Sequence, residues 1–184
     1  MIFSVLQQAK VEKNGKLKIN QKIRAANNRP QIKEEAKKMR LWHKDLIPYL
    51  PDLQFRGQLR ELVLIMRQWR DGGKTNHLLI NRVMEYPRAD LYRYFCEYEA
   101  EYFKRYGRTL DRYSSEFGRF ANWSVDTKNN TIFEGWHNKE YLRVCVCNLY
   151  EKYRFGVGKS KITQTEWDRI LQGYKDITGE DWVL

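Results

Sequence analysis

Long apolar runs, cysteine and proline are all scarce in this 184-residue chain, and each scarcity closes off a class of protein. No stretch of about 18 apolar residues is present, so no membrane-spanning helix is expected. The apolar start, Met1 to Leu6, is shorter than the core of about 7–15 residues that a secretion signal requires. The three cysteines, Cys96, Cys145 and Cys147, are odd in number and lack metal-ligand spacing, which argues against a disulfide framework or a metal site and fits a reducing, cytoplasmic setting. Cys145 and Cys147 stand two apart in an apparent helix, so they face different sides, and both read as small core residues. Pro30, Pro48, Pro51 and Pro87 are the only prolines. Neither an internal repeat nor a convincing alternating strand pattern occurs, and the expected fold is all-α, a single compact helical domain.

Basic and aromatic residues are abundant instead. Lysine and arginine number 34 against 23 acidic residues, a formal net charge of +11, so a polyanion is the favoured macromolecular partner. Twelve tyrosines and six tryptophans argue against disorder and supply rings that can fill a core or stack on bases. The charge is uneven. Residues 1–38 hold ten basic and three acidic residues, a local +7, which marks a basic N-terminal extension ahead of a helical domain over 39–184. The extension reads either as an electrostatic arm for nucleic acid or as a solvated tail.

Past Met39, Pro48 and Pro51 predict a turn over Leu46 to Asp52, then a helix from about Asp52 or Leu53 to Arg70. Phe55, Leu59, Leu62, Met66 and Trp69 form its buried stripe, and Asp71-Gly72-Gly73 stops it. A short helix over Ile80 to Glu85 is ended by Pro87. Arg88 to Tyr106 places Leu91, Phe95, Tyr98, Tyr102 and Tyr106 on one face, with Gly107 as its stop. Further helices are expected over Thr109 to Trp123, interrupted or closely packed at Gly118, and over Lys139 to Tyr153. Ser124 to Asn138 reads as a loop or weak hairpin. Thr163-Gln164-Thr165-Glu166 is a capping-box start for a last helix to about Tyr174. Gly156-Val157-Gly158-Lys159-Ser160 ends like a phosphate-binding loop, but the first glycine of that motif would fall at Tyr153 and a helix precedes it, so it reads as a basic loop.

On the helix from Leu53, Arg56, Arg60 and Arg67 share a face while Glu61 sits about 100° away, beside the apolar stripe. Glu61 therefore borders both the protein interior and a partner. The plainer alternative is a surface glutamate paired with a neighbouring arginine.

The run Met39-Arg40-Leu41-Trp42-His43-Lys44-Asp45-Leu46-Ile47-Pro48, continued by Gln54-Phe55-Arg56-Gly57-Gln58-Leu59-Arg60-Glu61, resembles the opening of the pyrimidine-dimer DNA glycosylases, the phage endonuclease V type of ultraviolet-repair enzyme. The likeness runs through His77, Asn81 and the aromatic helix to Tyr106. Its most specific element is Arg60-Glu61 at its distance from Met39. The resemblance implies excision of damaged pyrimidines from double-stranded DNA, without a cofactor. A terminal α-amine attacks C1′ of the damaged nucleotide, an imine replaces the base, β-elimination cuts the strand, and Glu61 handles protons and steadies the cationic intermediate. An α-amine suits the task because its pKa of about 7.7–8.0 leaves roughly a tenth of it as free base at pH 7, far more than an unperturbed lysine near 10.4.

The family's nucleophile is the residue exposed when the initiator methionine is removed, and that position matches Arg40. Here it follows a 38-residue extension. A start at Met39, a proteolytic cut, or a lysine such as Lys38 or Lys44 would restore an amine; with a start at Met39 the nucleophile is Met39 itself, because arginine at the second position resists methionine removal. Arg60 matches a phosphate-contacting arginine, and Arg56 and Arg67 follow from helix geometry. Trp42 reads as core or as a wedge between bases. His43, Lys44, His77 and Asn81 are candidate DNA contacts or structural residues. Two further readings stay open: a non-catalytic nucleic-acid-binding protein on the same scaffold, and a glycosylase for a different damaged base.

Overall fold

The computed structural model describes residues 41–72, 78–122 and 131–183, all within a unit running Arg40–Leu184. Among the described residues there are helices and turns but no strand, as the absent alternation predicts. No described helix is long and apolar enough to cross a membrane.

The described residues form six α-helices and two 3-10 segments, Lys44–Tyr49 and Gly158–Ser160. Helix α1, Asp52–Asp71, starts at Pro51 and ends at Gly72, whose φ of 138° a side chain would strain. Its stripe is wider than the sequence pattern implied: Phe55, Leu62, Ile65 and Met66 are wholly buried, Leu59 and Trp69 only partly, and two amides, Gln54 and Gln58, go inward as well. Helix α2 covers Leu78–Val83, two residues earlier than expected. Helix α3, Arg88–Tyr106, matches the periodicity end to end. It stops at Gly107, left-handed at φ 63°, whose N–H closes on the Phe103 carbonyl.

Helices α1 and α3 join through stacked rings: Phe55 lies on Tyr98 with centroids 4.3 Å apart, and the Tyr98 hydroxyl donates to the Phe55 carbonyl at 3.0 Å. Each such stack adds about 0.5–1.5 kcal/mol beyond the area it buries. Helix α4, Asp111–Phe120, is shorter at both ends than the expected Thr109 to Trp123. Phe117 stacks on Phe95 of α3 at 4.2 Å, and Gly118 beside it is buried within an unbroken helix, which favours close packing over interruption at that position. Trp123 lies outside the described residues.

Helix α5, Lys139–Phe155, is capped by Asn138, whose side chain accepts from the Tyr141 N–H at 2.9 Å. Helix α6, Gln164–Thr178, begins in the expected capping box of Thr163 and Glu166 and runs one turn beyond Tyr174 to Gly179. The part of Ser124 to Asn138 that is described, from Thr131 onward, is a series of turns, so the weak hairpin is not found there. The glycine-lysine-serine sequence forms a 3-10 turn, Gly158–Ser160, after a helix, which removes the phosphate-loop reading. Of the cysteines only Cys145 is buried. Cys147, expected in the core, is exposed because it sits two residues further round α5, and Cys96 is exposed too.

The 3-10 segment replaces the simple turn expected after Leu46, and it is fastened from two sides. Arg105 of α3 donates to the carbonyls of Ile47, Pro48 and Leu50 at 3.0, 2.9 and 2.8 Å and to Glu101 at 2.6 Å, adding to the long internal bond, Leu50 N–H to the Ile47 carbonyl at 3.4 Å, that closes this proline-containing segment. From α6, Gly173 lies so close to the Tyr49 ring that an added Cβ would be 2.3 Å from it. Only glycine allows that approach.

Candidate active site and nucleic-acid face

The apolar side of α1 carries one fully buried polar residue, Gln58, and its amide organises the site. Its Oε1 accepts from the Trp42 backbone N–H at 2.8 Å, and its Nε2 donates to Glu61 Oε2 at 3.4 Å. The Tyr94 hydroxyl of α3 donates to the Trp42 carbonyl at 2.8 Å, with Gln58 Oε1 at 3.5 Å. Burial pushes Tyr94 well above the ordinary tyrosine range, so its hydroxyl keeps its proton and remains a donor. Both backbone polar groups of Trp42 are thereby satisfied inside the protein, and one of them connects through a single amide to the carboxylate of Glu61. Glu61 itself is half-buried, with one edge toward the interior, as its angle on the helix implied.

A second cluster adjoins the first through Trp42 and Tyr94. The rings of His43 and His137 stack with centroids 5.2 Å apart, and the Tyr94 ring meets His137 edge-on at 5.9 Å. The Lys44 N–H donates to His137 Nδ1 at 3.0 Å, and the Asp45 N–H to His43 Nδ1 at 3.4 Å. Nitrogens that accept are unprotonated, so each neutral ring carries its hydrogen on Nε2. Burial, reinforced by His43 and Lys44, depresses His137 to about 2. Burial also lowers His43, although Asp45 pulls the other way. Neither imidazole is charged near neutral pH. Tyr141 of α5 closes the cluster by donating its hydroxyl to the Leu41 carbonyl. Asp90, at the start of α3, accepts from the Phe133 N–H at 3.0 Å and so fixes the turn that carries His137.

These placements sort the residues singled out from sequence. Glu61 and Trp42 are brought together through Gln58. Trp42, open between core and wedge, is core at 5 % exposure, and His43, a candidate DNA contact, is an internal residue at 3 %. Both placements have one cause: the chain folds back between α1, α3 and the turn before α5. Lys44 is partly exposed and pairs with Asp45 at 2.8 Å. Arg56 and Arg60 are exposed on α1; Arg56 pairs with Asp52 at 2.8 Å and lies over the Tyr106 ring at 5.1 Å. Arg67 is engaged elsewhere, in a two-bond fork to Glu116 of α4 at 2.9 Å each. Asn81 is half-buried on α2. Met39, Arg40, Lys38 and His77 lie outside the described residues. Among the described residues no group of three or more metal-ligating side chains occurs.

Gln58, Tyr94, His137 and Tyr141 were not singled out from sequence. For two of them a signal existed. Gln58 is three residues after Phe55 and four before Leu62, and Tyr94 is three after Leu91, so both occupy apolar-stripe positions. His137 and Tyr141 join the site across more than ninety residues, which no local pattern shows.

A family model described as pyrimidine dimer DNA glycosylase matches residues 39–113. The match begins on a methionine, contains all of α1 to α3 and ends inside α4. No curated protein and no solved structure matches the chain.

Proposed function

We propose that the chain is a DNA repair glycosylase that excises damaged pyrimidines, pyrimidine dimers foremost, from double-stranded DNA and then cuts the strand at the resulting abasic sugar. The observation that carries this reading is the Gln58 amide, which ties the Glu61 carboxylate to the backbone of Trp42, two residues after the position that matches the family's amine nucleophile. A glutamate on a solvated surface needs no such anchor.

In this mechanism an α-amine at Met39 or Arg40 attacks C1′. The C1′–N bond to the amine forms, the glycosidic bond breaks and the base leaves with a proton. Opening of the C1′–O4′ bond gives the imine. Removal of a C2′ proton then breaks the C3′–O bond by β-elimination. Glu61 receives and returns the protons and faces the iminium charge, and Gln58 holds it in place. Arg56 and Arg60 lie exposed on the same helix and supply phosphate contacts for a bent duplex with its nucleotide turned out of the stack. The free amine arises by a start at Met39 or by proteolysis before it.

Borohydride reduces such an imine to a secondary amine and leaves protein covalently attached to DNA. A chain starting at Met39 is expected to trap on dimer-containing and abasic duplexes, and Glu61→Gln to lose trapping. Failure of both the Met39-start chain and the full chain to trap on either substrate overturns the catalytic reading; duplex binding by an intact chain without trapping would assign binding alone.

A further inference from the structure

On the side of α1 away from Glu61, a cleft of about 500 Å³ is lined by Arg67, Arg70, Arg88, Arg112, Arg119 and Glu116, with Phe120 at its floor. Five guanidinium groups face one carboxylate. Glu116 accepts both bonds of the Arg67 fork and a third from Arg70 at 3.1 Å, while Asp71 holds the far side of Arg70. Arg88 is laid flat by aromatic faces, 4.8 Å over Phe120 and 5.9 Å from Trp69. Arg112 and Arg119 are exposed on α4, and Arg112 has no ion-pair partner among the described residues.

One of these arginines stands where helix electrostatics disfavours a cation: Arg112 is the second residue of α4, in a first turn whose dipole end is positive. Arg88 reaches the opposite end of α4, where it donates to the Phe120 carbonyl at 3.5 Å. The placement of Arg112 is destabilising in the free protein and becomes favourable once an anion binds beside it. Part of the cluster is also pre-arranged, since Glu116 and Asp71 fix Arg67 and Arg70 and the rings fix Arg88, which leaves Arg88, Arg112 and Arg119 to supply the net positive charge. Planar, forked donors of this kind suit phosphate oxygens better than lysines would.

We infer that this cleft is a second phosphate-binding surface, which grips the backbone of a stretch of nucleic acid other than the one presented to Glu61. Arg67 and Arg70 lie six and nine residues beyond Glu61, so they point about 120° and 180° away from it and sit roughly 9 and 13 Å further along the helix. No single nucleotide reaches both. The inference shares with the glycosylase reading only that the ligand is nucleic acid.

The test measures binding of the full-length protein to an undamaged duplex between about 50 and 200 mM salt, where each lost phosphate contact lowers the slope of log K against log salt by about 0.9. Arg112→Ala with Arg119→Ala is expected to reduce the slope by about 1.8. The corresponding double lysine variant should retain the parental slope, and Arg143→Ala with Arg154→Ala on α5 should leave it unchanged. Circular dichroism confirms that each variant is folded. An unaltered slope in the α4 alanine pair overturns the assignment, as does an equal fall in the α5 pair, which would make the contact diffuse. A parallel titration with inorganic phosphate separates the remaining source: a saturable phosphate site lost in the α4 pair, without a change in duplex slope, assigns a small anion and overturns the backbone reading. Since the duplex carries no lesion, loss of imine trapping elsewhere does not touch this result, and an unchanged slope leaves the Glu61 chemistry standing.

Discussion

Replacing Gln58 by leucine keeps the volume of the side chain and removes only its polar atoms, which makes it a direct test of the anchor. The Trp42 N–H then faces the interior with no acceptor, at a cost of about 1–3 kcal/mol, and the Glu61 carboxylate loses a donor, a smaller term because water reaches that half-exposed group. The net loss is about 2–4 kcal/mol, without a cavity to add to it. For a helical domain of this size that is a fall in Tm of roughly 5–15 °C. Urea denaturation followed by circular dichroism should show a lower midpoint with an unchanged slope. Glu61→Gln serves as the contrast, since a glutamine still accepts from Gln58 and its stability should stay within about 1 kcal/mol of the parent. Should Gln58→Leu unfold within about 0.5 kcal/mol of the parent, the buried amide does not hold the Trp42 backbone and Glu61 loses its anchor.

Three further outcomes follow from the same contacts. His137 is neutral in the folded protein down to about pH 2, whereas in the unfolded chain it takes up a proton below about 6.5, so its contribution to stability is complete above that value and declines as pH falls. Between pH 7 and 5 one such group costs about 2 kcal/mol, and the drop in urea midpoint over that range should shrink in His137→Gln. Arg105→Met leaves Glu101, 8 % exposed, without its close partner and strips donors from three carbonyls of the 3-10 segment; a loss of about 3–5 kcal/mol is expected by thermal melting. Gly173→Ala drives a methyl group into the Tyr49 ring and should cost about 1–3 kcal/mol, partly recovered when Tyr49→Leu is combined with it in a double-mutant cycle.

Helix identities were legible because amphipathic periodicity and capping chemistry are local. The Arg88–Tyr106 helix and the Thr163–Glu166 capping box depend on neighbours within a turn, and both are found as expected. Helix ends that depend on tertiary partners were less so: α4 stops at Phe120 where its last turn packs on α3, and the 3-10 segment exists because Arg105 and Gly173 hold it. Glu61 was visible through its place beside the arginines and the apolar stripe. Its support was not, because residue type does not distinguish a buried glutamine from a solvated one, and stripe positions were read as apolar only. Likewise Trp42 and His43 stood open between contact and structural roles, because the return of the chain from Thr131 to Tyr141 that covers them is not a local pattern.

That return has a consequence for any attempt to treat residues 39–113 as a portable module. The Leu41 carbonyl, the Lys44 amide and the Tyr49 ring find their partners in Tyr141, His137 and Gly173, all beyond the matched segment. Excising or grafting that segment alone would leave residues 41–49 without the donors, acceptors and packing surface that define their path. The unit that can be moved, shortened or recombined is therefore bounded by α6, and a segment cut at residue 113 would carry Glu61 on a sound helix facing an unmade floor.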